Sequence, residues 1–161
     1  MSTIQIGDRL PSLTLKKVTA SGAQDINTES LFKDKTVALF ALPGAFTPVC
    51  TATHLPGFSA KMDQFKSKGI DVMCLSVNDP FVMEAWGKST HTHPDMALLA
   101  DWNAEFTKAV GLTLDGSGAG LGLRSLRYSM LVKDGVVTAL NVEKSPGVCE
   151  LSSADHLLET L

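Results

Sequence analysis

Two periods alternate along the chain. Val37-Ala38-Leu39-Phe40-Ala41-Leu42 is an unbroken apolar run closed by Pro43-Gly44; it has strand length and no polar face, so it reads as a strand buried on both sides. Ile70-Asp71-Val72-Met73-Cys74-Leu75-Ser76-Val77, entered from Gly69, reads the same way. Between them Phe58, Met62 and Phe65 fall on one face of a helix over Phe58 to Lys68 that stops at the glycine. Strand, crossover helix and strand make a βαβ unit with parallel strands. Asn78-Asp79-Pro80 caps a further helix with Phe81, Val82, Ala85 and Trp86 on its apolar side. Met96 to Asp101 is then a strand, and Ala104 to Val110 a helix ended by Gly111. Arg127 to Val132 and Val136 to Val142 flank Lys133-Asp134-Gly135, an Asp-Gly hairpin signal. Ser152 to Leu161 supplies a capping serine and a Leu157, Leu158, Leu161 face for a closing helix.

At the other end, Leu13-Thr14-Leu15 begins a short hairpin on the domain edge, turning through Ser21-Gly22, and Ser30-Leu31-Phe32-Lys33 is one turn of helix. The stretch Gly116 to Gly122 has no Lys-Ser/Thr after it and no suitable leading strand, so it reads as a flexible loop rather than a phosphate cradle. With no repeat or linker, residues 1–161 are read as one domain.

Composition narrows the class. The chain of 161 residues is 44% hydrophobic and 19% charged, ordinary for a globular domain, and its formal net charge of -3 gives no basic footprint for nucleic acid or an anionic membrane. Met1-Ser2-Thr3-Ile4-Gln5 has neither the basic nor the apolar region of a leader, so the expected location is cytoplasmic. Three cysteines, Cys50, Cys74 and Cys149, form neither a disulfide framework nor a zinc spacing.

The chemistry starts at Cys50. Pro43-Gly44-Ala45-Phe46-Thr47-Pro48-Val49-Cys50 follows the first buried strand, and Thr51-Ala52-Thr53-His54-Leu55 continues as a helix that Pro56-Gly57 interrupts. A thiol in the first turn of a helix lies beside unpaired N–H groups and the positive end of the helix dipole, which favour the thiolate. The alternative is a buried cysteine acting as a small hydrophobe. Position 47 is Thr, so there is no Cys-x-x-Cys dithiol. A lone thiolate with a hydroxyl and a cation beside it suits attack on a peroxide.

Pro43-x-x-x-Thr47-x-x-Cys50 resembles the active-site motif of peroxiredoxins. The fuller string with His54-Leu55-Pro56-Gly57-Phe58, together with Gly7-Asp8, Leu75 to Val82 and Asn141-Val142-Glu143, is similar to the type II, or peroxiredoxin-5, subfamily. The likeness implies an α/β thioredoxin-like fold, with a central mixed β-sheet flanked by helices and an N-terminal β-hairpin extension. It implies a thiol peroxidase that reduces hydrogen peroxide and alkyl hydroperoxides and uses no cofactor or metal. Cys50 would be the peroxidatic cysteine, Thr47 the hydroxyl that bonds peroxide and thiolate, and Pro43 a shield against water. Arg127 would favour the thiolate and hold charge on the leaving oxygen, with Arg124 the second choice. Gly44, Phe46, His54 and Arg124 would support the pocket.

Reduction of the resulting sulfenic acid divides the family. Cys149, in a loop after Ser145-Pro146-Gly147, is the internal candidate for a resolving thiol. Members that resolve internally have their cysteine nearer the C-terminus, where Ser152 stands here; others use glutathione, glutaredoxin or thioredoxin. Cys74, within a central strand, is read as packing. The resemblance implies a homodimer, with Phe46 at the interface. Three competing readings remain: a redox sensor without steady-state turnover, a hydrolase using His54 as general base to Cys50, and a metal cluster of His91, His93 and Asp95, against which a solvated loop is favoured. Trp86 and Trp102 read as core or interface anchors.

Overall fold

The computed structural model describes residues 3–19 and 22–161. The expected turn at Ser21 and the leader reading of Met1-Ser2 fall outside the described residues.

Among those residues the strands are β1 (Thr14–Thr19), β2 (Gly22–Asn27), β3 (Thr36–Leu42), β4 (Ile70–Ser76), β5 (Ala97–Ala100), β6 (Thr113–Asp115), β7 (Leu123–Ser125), β8 (Tyr128–Lys133) and β9 (Val136–Val142). The helices are α1 (Thr28–Phe32), α2 (Leu55–Ala60), α3 (Met62–Ser67), α4 (Pro80–Ser89), α5 (Glu105–Ala109) and α6 (Ala154–Glu159). Seven strands form one mixed sheet in the order β2-β1-β5-β4-β3-β8-β9, with β3, β4 and β5 parallel and the others antiparallel to their neighbours. This is the thioredoxin-like arrangement, and β1-β2 extends it at the β5 edge.

Alternation along β3 builds the two cores. Ala38, Phe40 and Leu42 face a cluster holding Phe58, Phe65, Trp86 and Leu157, and Val37, Leu39 and Ala41 face one holding Leu31, Phe32, Phe106 and Tyr128. Helices α2, α3, α4 and α6 therefore cover one face of the sheet and α1 and α5 the other, which is why β3 carries no polar residue between Val37 and Leu42. Phe40 and Phe58 stack with ring centroids 4.1 Å apart.

The strand directions gather one end of the sheet into a site. Leu42 pairs with Ser76 where β3 and β4 finish together. Tyr128, the first residue of β8, lies against Ala41, and Val142, the last of β9, lies against Tyr128. The loop after β3, Arg127 before β8 and Glu143 after β9 consequently meet.

Several expectations are corrected. Pro56-Gly57 does not interrupt the helix: Pro56 lies at the start of α2, directly after a helical turn that is widened over Cys50–His54, and the break falls at Lys61, between α2 and α3. Phe81 and Ala85 lie outside the apolar face of α4. Met83 and Trp86 are its buried residues, and Phe81, beside the helix start, is 81% exposed. Trp86 is a core anchor, whereas Trp102 is 47% exposed. Leu161 is exposed beyond α6, whose buried apolar contacts come from Ala154 and Leu157.

The glycine-rich stretch connects β6 and β7 and is closed by Gly116 N–H donating to Gly122 O at 2.7 Å. A side chain at position 116 would meet Leu121 Cβ at 2.8 Å, and Gly120 and Gly122 have φ of 75° and 71°.

Candidate active site

Helical backbone begins at Pro48, so Cys50 sits in the first turn. A proline at position 56 cannot donate to Ala52 O and crowds it. The helix meets this by widening over Cys50–His54, where Leu55 N–H donates to Cys50 O in a π-helical turn. That turn directs both Cys50 and His54 at Arg127. Trp86 Nε1 donates to Thr51 Oγ1 at 3.0 Å and ties the same turn to α4.

Arg127 is 2% exposed. Its Nη2 lies 3.2 Å from Cys50 Sγ, its Nη1 lies 3.0 Å from His54 Nδ1, and its Nε and Nη2 donate to Pro146 O at 3.2 and 3.0 Å. Among the described residues its hydrogen-bond partners include no carboxylate. A buried cation needs a counter-charge, and of the sulfur, carbonyl and imidazole around it the sulfur is the group that can become an anion.

His54 completes that logic. Burial, then the Arg127 charge, lower its pKa from 6.5 to about 3, against the opposing effect of the hydrogen bond it gives to the Ser152 carbonyl. The ring is thus neutral, Nδ1 accepts from Arg127, and Nε2–H donates to Ser152 O at 3.0 Å. Both nitrogens are engaged away from the thiol. The hydrolase reading, which needs His54 as a base to Cys50, is overturned by this geometry.

The loop over the sulfur is pinned from two sides. Ala45 N–H donates to Asn78 Oδ1 at 3.0 Å, and Ser76 Oγ donates to the same oxygen at 2.6 Å. Arg124 Nη1 reaches Val77 O at 3.2 Å and Pro43 O at 3.5 Å, while its Nε donates to Leu121 O at 2.9 Å. Arg124 is a buttress for the loop and is not bonded to the sulfur. Gly44 leaves room for that buttress, because a Cβ there would come within 2.8 Å of Arg124 Nη1 and the guanidinium would have to shift. Phe46 adopts φ 65°, a left-handed conformation rare outside glycine, and is 54% exposed.

Pro43 is buried in this loop. Thr47 Oγ1 donates to Gly44 O at 2.6 Å. Its hydrogen is therefore committed to the loop rather than to the sulfur, and its oxygen is left as an acceptor.

Cys74 is buried in the same core cluster as Cys50, and burial, reinforced by Cys50, pushes its thiol well up. Cys149 is half-buried; burial raises its thiol pKa, with Arg127 and Ser152 acting in the opposite direction. No group of His, Cys, Asp and Glu able to hold a metal occurs among the described residues, and His93 Nδ1 instead accepts from Asp95 N–H at 3.1 Å. Two surface clefts of about 680 and 540 Å³ are lined by neither Cys50 nor Arg127.

Sequence reasoning passed over four contributors: Asn78, Pro146, Glu143 and Ser152. The sequence places Asn78 in a helix-capping triplet, whereas Asp79 caps α4 and Asn78 holds the loop; Glu143 stands in a recognised block without a role, and Pro146 acts through its backbone, which no residue pattern reveals.

The redoxin family model matches residues 5–158. The chain belongs to the redoxin family. Within it the chain is a peroxiredoxin of the type II, or peroxiredoxin-5, group. It is 44% identical to peroxiredoxin-2B of Arabidopsis thaliana over the full length of both chains. It is 46% identical to the chloroplastic peroxiredoxin-2E of the same plant, over 99% of this chain and 70% of that one. Reduced Prx3 from Vibrio vulnificus in complex with hydrogen peroxide superposes with a TM-score of 0.92 at 46% identity, covering 98% of this chain and 99% of that one. This redoxin is a thiol peroxidase.

Proposed function

We propose that this peroxiredoxin reduces hydrogen peroxide and alkyl hydroperoxides at Cys50, recycled by glutathione, glutaredoxin or thioredoxin. The observation that carries the assignment is the buried Arg127 guanidinium on the Cys50 sulfur with no carboxylate among its partners. The Cys50 thiolate attacks the distal oxygen of ROOH. An S–O bond forms, the O–O bond breaks, and the electron pair leaves on RO⁻, which takes a proton and departs as alcohol or, from hydrogen peroxide, as water. Arg127 stabilises the charge growing on the oxygens. Thr47, its hydrogen given to Gly44, accepts from the peroxide O–H, and Pro43 keeps water from the sulfur. Gly44, Arg124 and Phe46 hold the loop in which these groups lie.

Reduction then needs a thiol. Condensation of R′SH with the sulfenic acid releases water and leaves a mixed disulfide, and a second thiol returns Cys50 and carries away R′SSR′. Cys149 is the internal candidate for the first of these thiols. Multiple turnovers in the presence of glutathione with glutaredoxin, or of thioredoxin, are expected, with none in Cys50→Ser. Consumption of a single equivalent followed by arrest would favour the sensor reading.

A homodimer in the cytoplasm completes the proposal. Phe46, Phe81 and Trp102 follow the carboxyl ends of β3, β4 and β5 and leave large apolar side chains exposed at that end of the sheet. Sedimentation of the wild type as a dimer and of Phe46→Asp/Phe81→Asp as a monomer is expected; a monomeric wild type would remove this part of the proposal.

A further inference from the structure

Glu143 is buried one residue beyond β9, and its own N–H donates to Arg127 O at 3.0 Å. A carboxylate so near a buried guanidinium would ordinarily form an ion pair with it. Here the carboxylate turns away. Its Oε2 accepts from Glu150 N–H at 2.9 Å, Ser152 N–H at 2.6 Å and Ser152 Oγ at 2.5 Å. Those bonds fold the segment 144–152 back on itself, and that segment supplies both groups that orient the arginine: Pro146 O binds it directly, and Ser152 O holds His54 Nε2 so that Nδ1 faces it.

We propose that Glu143 is a positioning residue for peroxide reduction: its carboxylate closes the segment 144–152 so that Pro146 and His54 hold the Arg127 guanidinium on the Cys50 sulfur, while its own charge is kept off the arginine. The inference rests on Cys50 being the reacting thiol. The chain of contacts runs Glu143, Ser152, His54, Arg127, Cys50, and within it Arg127 is the residue that touches the sulfur. Although burial alone would raise the Glu143 pKa, the hydrogen bonds from Ser152, Leu151 and Glu150 outweigh it and hold the group below its ordinary value. The staple is therefore anionic at neutral pH.

The sign of one measurement separates this role from two simpler ones. Loss of a nearby negative charge, by itself, makes the Cys50 thiolate easier to form, and loss of a purely structural residue lowers the melting temperature without moving the thiol. Loss of a positioning residue makes the thiolate harder to form. Thiolate absorbance at 240 nm, with the Cys50→Ser titration subtracted, reads this directly.

In Glu143→Ala the ionisation midpoint of Cys50 is expected to move upward by about one pH unit, a tenfold loss of thiolate below the midpoint, and single-turnover reaction with hydrogen peroxide is expected to slow by a similar factor. Glu143→Gln, which keeps an oxygen for Ser152, shifts the midpoint in the same direction by less, and it carries the test if the alanine variant does not fold. In an Arg127→Ala background the Glu143→Ala substitution adds no further upward shift, because the effect passes through the arginine. A midpoint that is unchanged or lower, or an upward shift of the same size without Arg127, overturns the proposal. A wild type inert to peroxide would instead sink the reading of Cys50, and the titration would distinguish the two failures.

Discussion

Arg127→Ala slows the reaction of Cys50 with hydrogen peroxide by about 10²–10³-fold, the usual cost of removing a preorganised donor from a developing oxyanion. The loss has two sources. The Nη2 contact at 3.2 Å favours the charged form of the sulfur before reaction, and the same fork is the cation available to the oxygens as the O–O bond stretches. Arg127→Lys recovers little of this. Lysine has a point charge on a flexible stem, whereas the guanidinium must reach His54, Pro146 and Cys50 together. Stopped-flow oxidation at fixed pH, repeated across pH, checks both claims. A lysine variant with wild-type kinetics would show that charge alone suffices and that the fork geometry is irrelevant.

The second large effect is on stability in acid. With its pKa held near 3 in the fold and about 6.5 in the unfolded chain, His54 binds its proton only on unfolding between those values. The unfolded state then carries more protons, so stability rises with pH through this window and levels off above about 6.5. Each unit of pH lost below that point costs about 1.4 kcal/mol from His54 alone, large against the roughly 5–15 kcal/mol that holds an ordinary domain folded. Glu143 adds to the loss at the lower end: its pKa is depressed, so its contribution is present above the ordinary carboxylate range and fades as pH falls through its folded value. Urea midpoints are expected to be flat from pH 8 to 7 and to fall steadily from about 6 to 4. In His54→Gln the fall begins only near the carboxylate range. A wild-type midpoint constant down to pH 5 would contradict a neutral, buried His54.

How much of this was legible in the sequence depends on where the determining force acts. Strands β3 and β4 could be read because burial on both faces leaves an uninterrupted apolar run. The loop from Pro43 to Cys50 could be read because its residue types carry its chemistry. Pro56-Gly57 misled because a proline that breaks a helix interior is accommodated at the start of α2, after a widened turn that local pattern does not announce. Phe81 misled because periodicity defines a face only where the helix lies over the core, and position 81 precedes that contact. Arg124 and Arg127 are locally alike; what separates them is that Arg124 lies in the β6-β7 pair and Arg127 at the mouth of β8 beside β3. Glu143 and Ser152 are linked across an irregular segment, where no period connects them.

The central claim is that Cys50 is the thiol that takes oxygen from peroxide. Its most direct test is a single-turnover experiment with one equivalent of hydrogen peroxide, quenched with a sulfenic acid trap and resolved by peptide mass spectrometry. The account predicts the first oxidised sulfur to be Cys50, carried either as the trapped sulfenic acid or as a disulfide to Cys149, with no oxidation on that timescale in Cys50→Ser. First oxidation at Cys74 or Cys149, or an unchanged rate in Cys50→Ser, would contradict it.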